Sequence, residues 1–317
     1  MKNLLLFLSI CFIFNIKAQE KRTIGFYNLE NFFDTIDGPN DDAEFLPDGK
    51  NAWNGAKYES KITKINQVID TLGNPILMGF CELENKLVLE DLFNASPSRK
   101  DYGIVHKESP DLRGIDVAIA YDKKVLSYIS AGIIRFKLYN VENPNTRDIL
   151  WGKFVHGKDT LVAIVNHWPS RSGGQFASES RRTQAAREAK KFIDSLMRAS
   201  PKTRIVFMGD LNDYPDNLAP KMISNVLIPQ ITKASGKFGG TYNYRGEWDV
   251  LDHIMVSENF CKGRKFKMEK KSGKIHSPDF IITEYKGDLV PKRNYGSSKH
   301  LDGYSDHLPV TIGVIYK

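Results

Sequence analysis

Cysteine is scarce in this 317-residue chain: Cys11, Cys81 and Cys261 are the only three. Two that lie beyond the first segment do not make a disulfide framework, and a chain this long can stand on its hydrophobic core. Whether Cys81 and Cys261 pair depends on the fold. There is no Cys-x-x-Cys pair and no His-Glu-x-x-His run, so the common zinc signatures are missing. Past residue 14 no apolar stretch is long enough to cross a bilayer, which argues against stable membrane insertion. No Pro- or Ser-rich linker, strong internal repeat, zinc finger or RNA-binding signature is present. Sequence-specific reading of nucleic acid is therefore not supported.

One long apolar run does occur, at the start. Leu4 to Phe14 follows Lys2 and has the length of a signal peptide. Residues 1–18 read as an export leader cleaved near Ala18-Gln19, which predicts a soluble periplasmic or extracellular protein. Ile10 is too large for a good lipoprotein site before Cys11. The leader carries Lys2 and Lys17 and no acid, so its loss lowers the formal net charge from +7 to +5. By length, the remaining chain could form one domain or two.

The chain is organised around Arg204 to Asp216. Ile205 to Met208 is an unbroken apolar run, the mark of a strand buried on both faces. Gly209, Asp210, Asn212, Asp213 and Pro215 then end it in a turn. Alternation along the strand predicts that Asp210 and Asn212 project side by side. Strands are also expected at Arg22–Tyr27, Pro75–Phe80, Val117–Tyr121 and Thr160–Val165, the last paired with Lys153–Val155 around Gly157-Lys158. Two more begin after Asp252 and after Asp306-His307. Helices are expected from about Tyr58, with Ile62, Ile65, Val68, Ile69 and Leu72 inward and Gly73 as stop, and from Glu179 to Ala199. The inward face of the second holds Ala185, Ala189, Phe192, Ile193, Leu196 and Met197. Residues 37–57 read as loop. The pattern is α/β with mixed sheets.

Polar residues recur where these runs end: Asn28, Glu82, His167, Asp210 with Asn212, Asp252, and Asp306 with His307. Strand ends converge on one rim in packed sheet proteins. The set holds carboxylates, amides and imidazoles and no evident serine or cysteine nucleophile. That composition suits hydrolysis by a water activated at a hard divalent cation, Mg²⁺ with Mn²⁺ or Ca²⁺ as alternatives. Glu84 competes with Glu82 for the same role.

In these residues the chain resembles the endonuclease/exonuclease/phosphatase superfamily, which includes pancreatic deoxyribonuclease, abasic-site endonucleases, sphingomyelinases and inositol-phosphate 5-phosphatases. The matching stretches are Phe26-Tyr27-Asn28-Leu29-Glu30-Asn31, the Glu82 segment, Asn166-His167-Trp168, Gly209-Asp210-Leu211-Asn212-Asp213, Leu251-Asp252-His253-Ile254 and Ser305-Asp306-His307-Leu308-Pro309. They run through essentially all of residues 19–317, which the resemblance makes one domain. It implies a four-layer α/β sandwich, two mixed β-sheets packed face to face and flanked by helices, and metal-dependent phosphoester hydrolysis. By the same likeness Glu82 is the principal metal ligand with Asn28 close by, and Asp210 activates the water. Asn212 holds the phosphate, His307 is the acid or base held by Asp306, and His167 stabilises the transition state. Asp252 is a further metal or water carboxylate, and Asp306 counts as a metal candidate too. Tyr121 and Arg113 are expected to touch phosphate, and Arg171 is grouped with them.

Gly-Asp-Leu-Asn-Asp-Tyr-Pro is more like nucleases than 5-phosphatases, whose late Trp-x-Asp-Arg element is here Trp248-Asp249 leading to Leu251-Asp252-His253. Residues 262–300 carry 11 Lys+Arg against 4 Asp+Glu, a balance of +7. A basic segment beside the rim favours a polyanion. The expectation is a monomeric nuclease of low sequence specificity on DNA or RNA; a lipid- or inositol-phosphate hydrolase is the alternative.

Overall fold

The computed structural model describes residues 19–296 and 299–317. The leader expected over residues 1–18 lies outside them. Two mixed sheets form the centre. The first runs, edge to edge, Phe266–Met268, Val310–Tyr316, Glu20–Phe32, Pro75–Leu83, Asp116–Asp122 and Tyr102–His106, with Lys274–Ile275 also on the Val310–Tyr316 strand. The second runs Ser127–Ile134, Ile149–His156, Asp159–His167, Arg204–Asp210, Asp252–Val256 and Ile228–Pro229. Each has one parallel pair, Glu20–Phe32 with Pro75–Leu83 and Asp159–His167 with Arg204–Asp210.

The alternation of side chains shows why the central strands read as unbroken apolar runs. In Arg204–Asp210, Val206 and Met208 enter the core between the sheets, while Ile205 and Phe207 enter the second core under the long helix. Leu161, Ala163 and Val165 divide from Val162 and Ile164 in the same way. Gly79 lets the sheets approach, since a Cβ there would lie 2.7 Å from Sδ of Met208 in the opposite sheet. The result is the expected four-layer sandwich, with Gly55–Asp70 and Lys86–Asn94 on the first sheet's side and Gln175–Ala199 on the second's.

The boundaries moved where side chains cap ends. The first helix starts at Gly55 because Asn54 accepts the Lys57 N–H, and Asn85 caps the unpredicted Lys86–Asn94 through Val88. The long helix begins four residues before Glu179, at Gln175, whose amide donates to Asp213 at 2.8 Å. Its last turn leaves the core, and Met197 is 39 % exposed rather than inward. Cys81 and Cys261 are both free. Among the described residues no helix is long and apolar enough to cross a membrane.

Candidate active site

The register of the second sheet sets three of the candidates in a row. His167 lies opposite Asp210 on one side, and Asp252 lies opposite Asp210 on the other. Directly opposed residues share a face with Cβ atoms about 5 Å apart. The first sheet delivers Asn28, paired with Cys81, and then loses its register as both strands bend. Glu30, Asn31 and Glu82 there, with Asn212 in the facing turn, all take left-handed backbone at φ between 49° and 57°. Each costs of order 1–3 kcal/mol for a residue other than glycine, a cost that clusters at functional sites.

The side chains meet in two groups that share Asp210. Glu82, His167 and Asp210 form one, and Asp210, Asp252 and His307 the other, each with ligand atoms within 4.8 Å of one another. Nε2 of His167 is 3.8 Å from Glu82 Oε1 and 3.7 Å from Asp210 Oδ2. Nδ1 of His307 meets Asp252 Oδ2 at 2.7 Å, which turns Nε2 toward Asp210 Oδ2 at 3.7 Å. Oδ1 of Asp252 and Nδ1 of His167 are buried without a partner.

Burial and charge separate the two imidazoles. Burial, helped by Arg147 and Arg113, holds His167 well below the ordinary histidine range, so it is neutral at pH 7. Burial acts in the same direction on His307, but Asp252 and Asp210 outweigh it and hold its pKa well above that range. Burial lifts Asp210 to about 7, against the pull of His307 and with Asp252 adding to the rise.

Glu82 is the carboxylate at the rim. Glu84 turns away and accepts the Asp34 N–H at 2.9 Å, outside both groups. Glu82 and Asp210, with two oxygens each and His167 beside them, form a donor set that fits a hard divalent cation. Asn28 does not fit as a ligand. Its Oδ1 accepts the Glu30 N–H at 2.9 Å, while Nδ2 donates to Glu82 at 3.2 Å and Asp210 at 3.1 Å. An amide nitrogen cannot coordinate a cation, so Asn28 orients the two carboxylates instead.

Asp306 is corrected as well. It accepts from Arg293 at 2.8 Å, and Asp252 takes the place beside His307. Neighbours on an extended chain point to opposite sides, so adjacency to His307 carried Asp306 away from the imidazole. Neither metal-type group contains it. Tyr121 pairs with Leu77, four residues before Cys81, about 13 Å from the rim at ~3.3 Å per residue. It packs against the buried Phe154 and the exposed Tyr128. Arg113 does reach the rim, bonding Asn31 and lying 3.9 Å from Glu82. Arg171 holds the turn after Asp210, donating to the Asn212 carbonyl at 3.1 Å and lying 3.6 Å over the Tyr214 ring. Asn212 lies beyond the strand, so alternation ends at Asp210. Its N–H bonds Asp210 Oδ1 at 2.9 Å and its amide donates to the Trp168 carbonyl at 3.1 Å.

Two rim residues had no signal in the sequence. Arg147, in a loop, bonds Asp111 and the Trp168 carbonyl, each at 2.9 Å, and is the foremost charge acting on His167. Tyr242 bridges His307 through the backbone and brings its ring to 4.8 Å from the imidazole. Only the first part of the basic segment, residues 262–267, is displaced, while Arg293 of the same segment stays at the rim on Asp306. Phe266–Met268 pairs with Tyr316–Val314, the end of the last strand remote from His307. Lys262, Arg264, Lys265 and Lys267 therefore cluster about 20 Å from the rim, six residues along a strand at ~3.3 Å each.

No free nucleophile stands among these groups. Ser305 donates to the Asn28 carbonyl at 2.7 Å, and burial raises the Cys81 thiol well above its usual range. Carboxylates and imidazoles gathered in this way suit hydrolysis by water. The chain belongs to the endonuclease/exonuclease/phosphatase family, whose model matches residues 23–316. That family consists of divalent-metal-dependent phosphoester hydrolases. Solved structures share its fold. A family protein from Bacteroides thetaiotaomicron has 16 % identity and a TM-score of 0.59 over 95 % of this chain and 99 % of that one. A mannosyl-6-phosphatase of the same organism has 17 % and 0.57 over 92 % and 99 %. TDP2 of D. rerio, complexed with single-strand DNA product, has 12 % and 0.56 over 93 % and 98 %. No curated protein matches the chain.

Proposed function

We propose that the protein is an exported, monomeric, divalent-metal-dependent phosphodiesterase that cleaves nucleic acid with little sequence specificity. The observation that carries this is the pair of buried groups sharing Asp210, Glu82 with His167 on one side and Asp252 with His307 on the other. Glu82 and Asp210 would hold a divalent cation, Mg²⁺ in first place, which when bound would polarise a phosphoryl oxygen and acidify water. The side chains divide the remaining work. Asn28 holds the two carboxylates in place. Asp210 takes the proton of the attacking water. His307, its tautomer set by Asp252, presents a protonated Nε2 to the charge developing on the phosphate. His167 is neutral and contributes a hydrogen bond, and the Asn212 amide keeps a second N–H for a phosphate oxygen.

The nucleic-acid reading draws on the Gly-Asp-Leu-Asn-Asp-Tyr-Pro turn and on the shared fold of the DNA-bound TDP2. A second reading, hydrolysis of small phosphoesters, is favoured by the remoteness of the Lys262–Lys267 cations and by the shared fold of the mannosyl-6-phosphatase. Plasmid DNA, RNA, sphingomyelin, inositol phosphates and a hexose 6-phosphate, each with Mg²⁺ or EDTA, separate the two. Cleavage of DNA or RNA is expected; turnover of sphingomyelin or the monoesters alone would replace the first reading with the second. Export predicts a mature N-terminus near Gln19, read by sequencing the protein from periplasm or medium.

A further inference from the structure

Tyr242 opens a short hairpin, Tyr242–Tyr244 paired with Glu247–Asp249. Arg245 and Gly246 close it with φ of 55° and 88°, the left-handed pair of a tight two-residue turn. Its other edge joins the catalytic loop. Tyr242 bridges His307 in antiparallel fashion, and the Leu308 N–H donates to the Thr241 carbonyl at 2.8 Å. Residues opposed in this way show their side chains on one face. The face that holds His307 toward Asp210 is therefore the face of Tyr242, as the 4.8 Å between the rings confirms.

Alternation puts Tyr244 on that face too, one strand repeat of about 7 Å farther out. The residue between them, Asn243, pairs with Trp248, whose ring stacks on Phe238 at 4.8 Å on the other side. Tyr244 is 58 % exposed, with the Arg245 guanidinium 5.1 Å from its ring centre. Opposite it stands Glu247, a carboxylate unsuited to tracking phosphates. The turn of the hairpin runs close to Asp288, which a Cβ on Gly246 would meet at 2.8 Å. Two aromatic rings thus stand on the face that carries His307, the outer one exposed.

We propose that Tyr242 and Tyr244 form a stacking ledge for the ring next to the scissile phosphate, a nucleobase; this rests on the phosphodiesterase reading above. Every base has a face that stacks on an aromatic ring, so such a ledge binds nucleic acid without reading its sequence.

The test compares a dinucleotide with its counterpart lacking one base, as substrates for the wild-type protein, Tyr244→Ala and Tyr244→Phe. The wild type is expected to prefer the base-bearing substrate. Tyr244→Ala should cut that preference about tenfold, through KM, and Tyr244→Phe should retain it. An unchanged preference in Tyr244→Ala overturns the ledge and leaves the phosphodiesterase reading standing. So does an equal loss on both substrates, which makes Tyr244 a support of the cleft. Wild-type protein that cleaves neither dinucleotide but hydrolyses a hexose 6-phosphate overturns both.

Discussion

At the rim, Asp210, Asp252, His167 and His307 are buried, and two of their polar atoms have no partner. At the far end of the same sandwich stand exposed ion pairs. Lys262 pairs with Glu258 one helical turn away at 2.5 Å, and Lys21 pairs with Glu269 at 2.6 Å. Exposed pairs of this kind contribute about 0–1 kcal/mol. Buried like charges around Asp210 instead displace proton affinities and oppose folding, a cost offset elsewhere by the two cores. Density of charge in the sequence is thus a poor guide to where charge acts; burial decides it.

The sharpest separation of the two ends is chemical. Excess EDTA should abolish hydrolysis without unfolding the protein, measured by activity and circular dichroism; full activity in EDTA would remove the cation from the rim. Glu82→Gln should raise the Mg²⁺ concentration needed, and Glu84→Gln should not. Next, His307→Ala and Asp210→Asn should each lower kcat at least about a hundredfold. A variant of either with near-normal turnover does not belong to the catalytic set. Asp252→Asn should come close to that loss and Asp306→Asn should cost about tenfold or less, because Asp252 holds the imidazole. The reverse order in kcat would restore Asp306. Glu30→Ala should act on stability. Its carboxylate accepts the Asn294 and Tyr295 N–H groups at 2.5 and 3.2 Å, and leaving both buried donors unpaired costs about 2–5 kcal/mol, read by denaturant unfolding. The smallest effect belongs to the far end. Changing Lys262, Arg264, Lys265 and Lys267 together to Gln should leave KM for DNA and its salt dependence unchanged. A flattened salt slope would bring these cations into the binding path.

Most of the site was legible because strand ends carry their own mark, an apolar run that meets Asp, Asn or His. Glu82, His167, Asp210, Asp252 and His307 were all found that way. The misplacements have separate causes. Tyr121 sits in a run whose phase along the sheet no local pattern reveals. The family likeness gives Asp306 the place beside His307, but adjacent residues on an extended chain diverge, and Asp252 fills it. Asn28 was given an oxygen's role, whereas the Glu30 N–H claims that oxygen. Lys262 to Lys267 follow Asp252 closely in the chain, but an edge strand takes them to the other end, while Arg293 of the same basic segment stays beside Asp306.

The sequence by itself determined the alternating two-faced burial of the central strands, the polar residues that end them and the family they identify. These are local or periodic features, written within a few neighbouring residues. Only the tertiary structure decided that Asp252 rather than Asp306 holds His307, that Arg147 and Tyr242 join the rim and that Lys262 to Lys267 lie remote from it. Those outcomes depend on register between strands far apart in the chain, and a shift of one residue in that register turns every side chain to the other face.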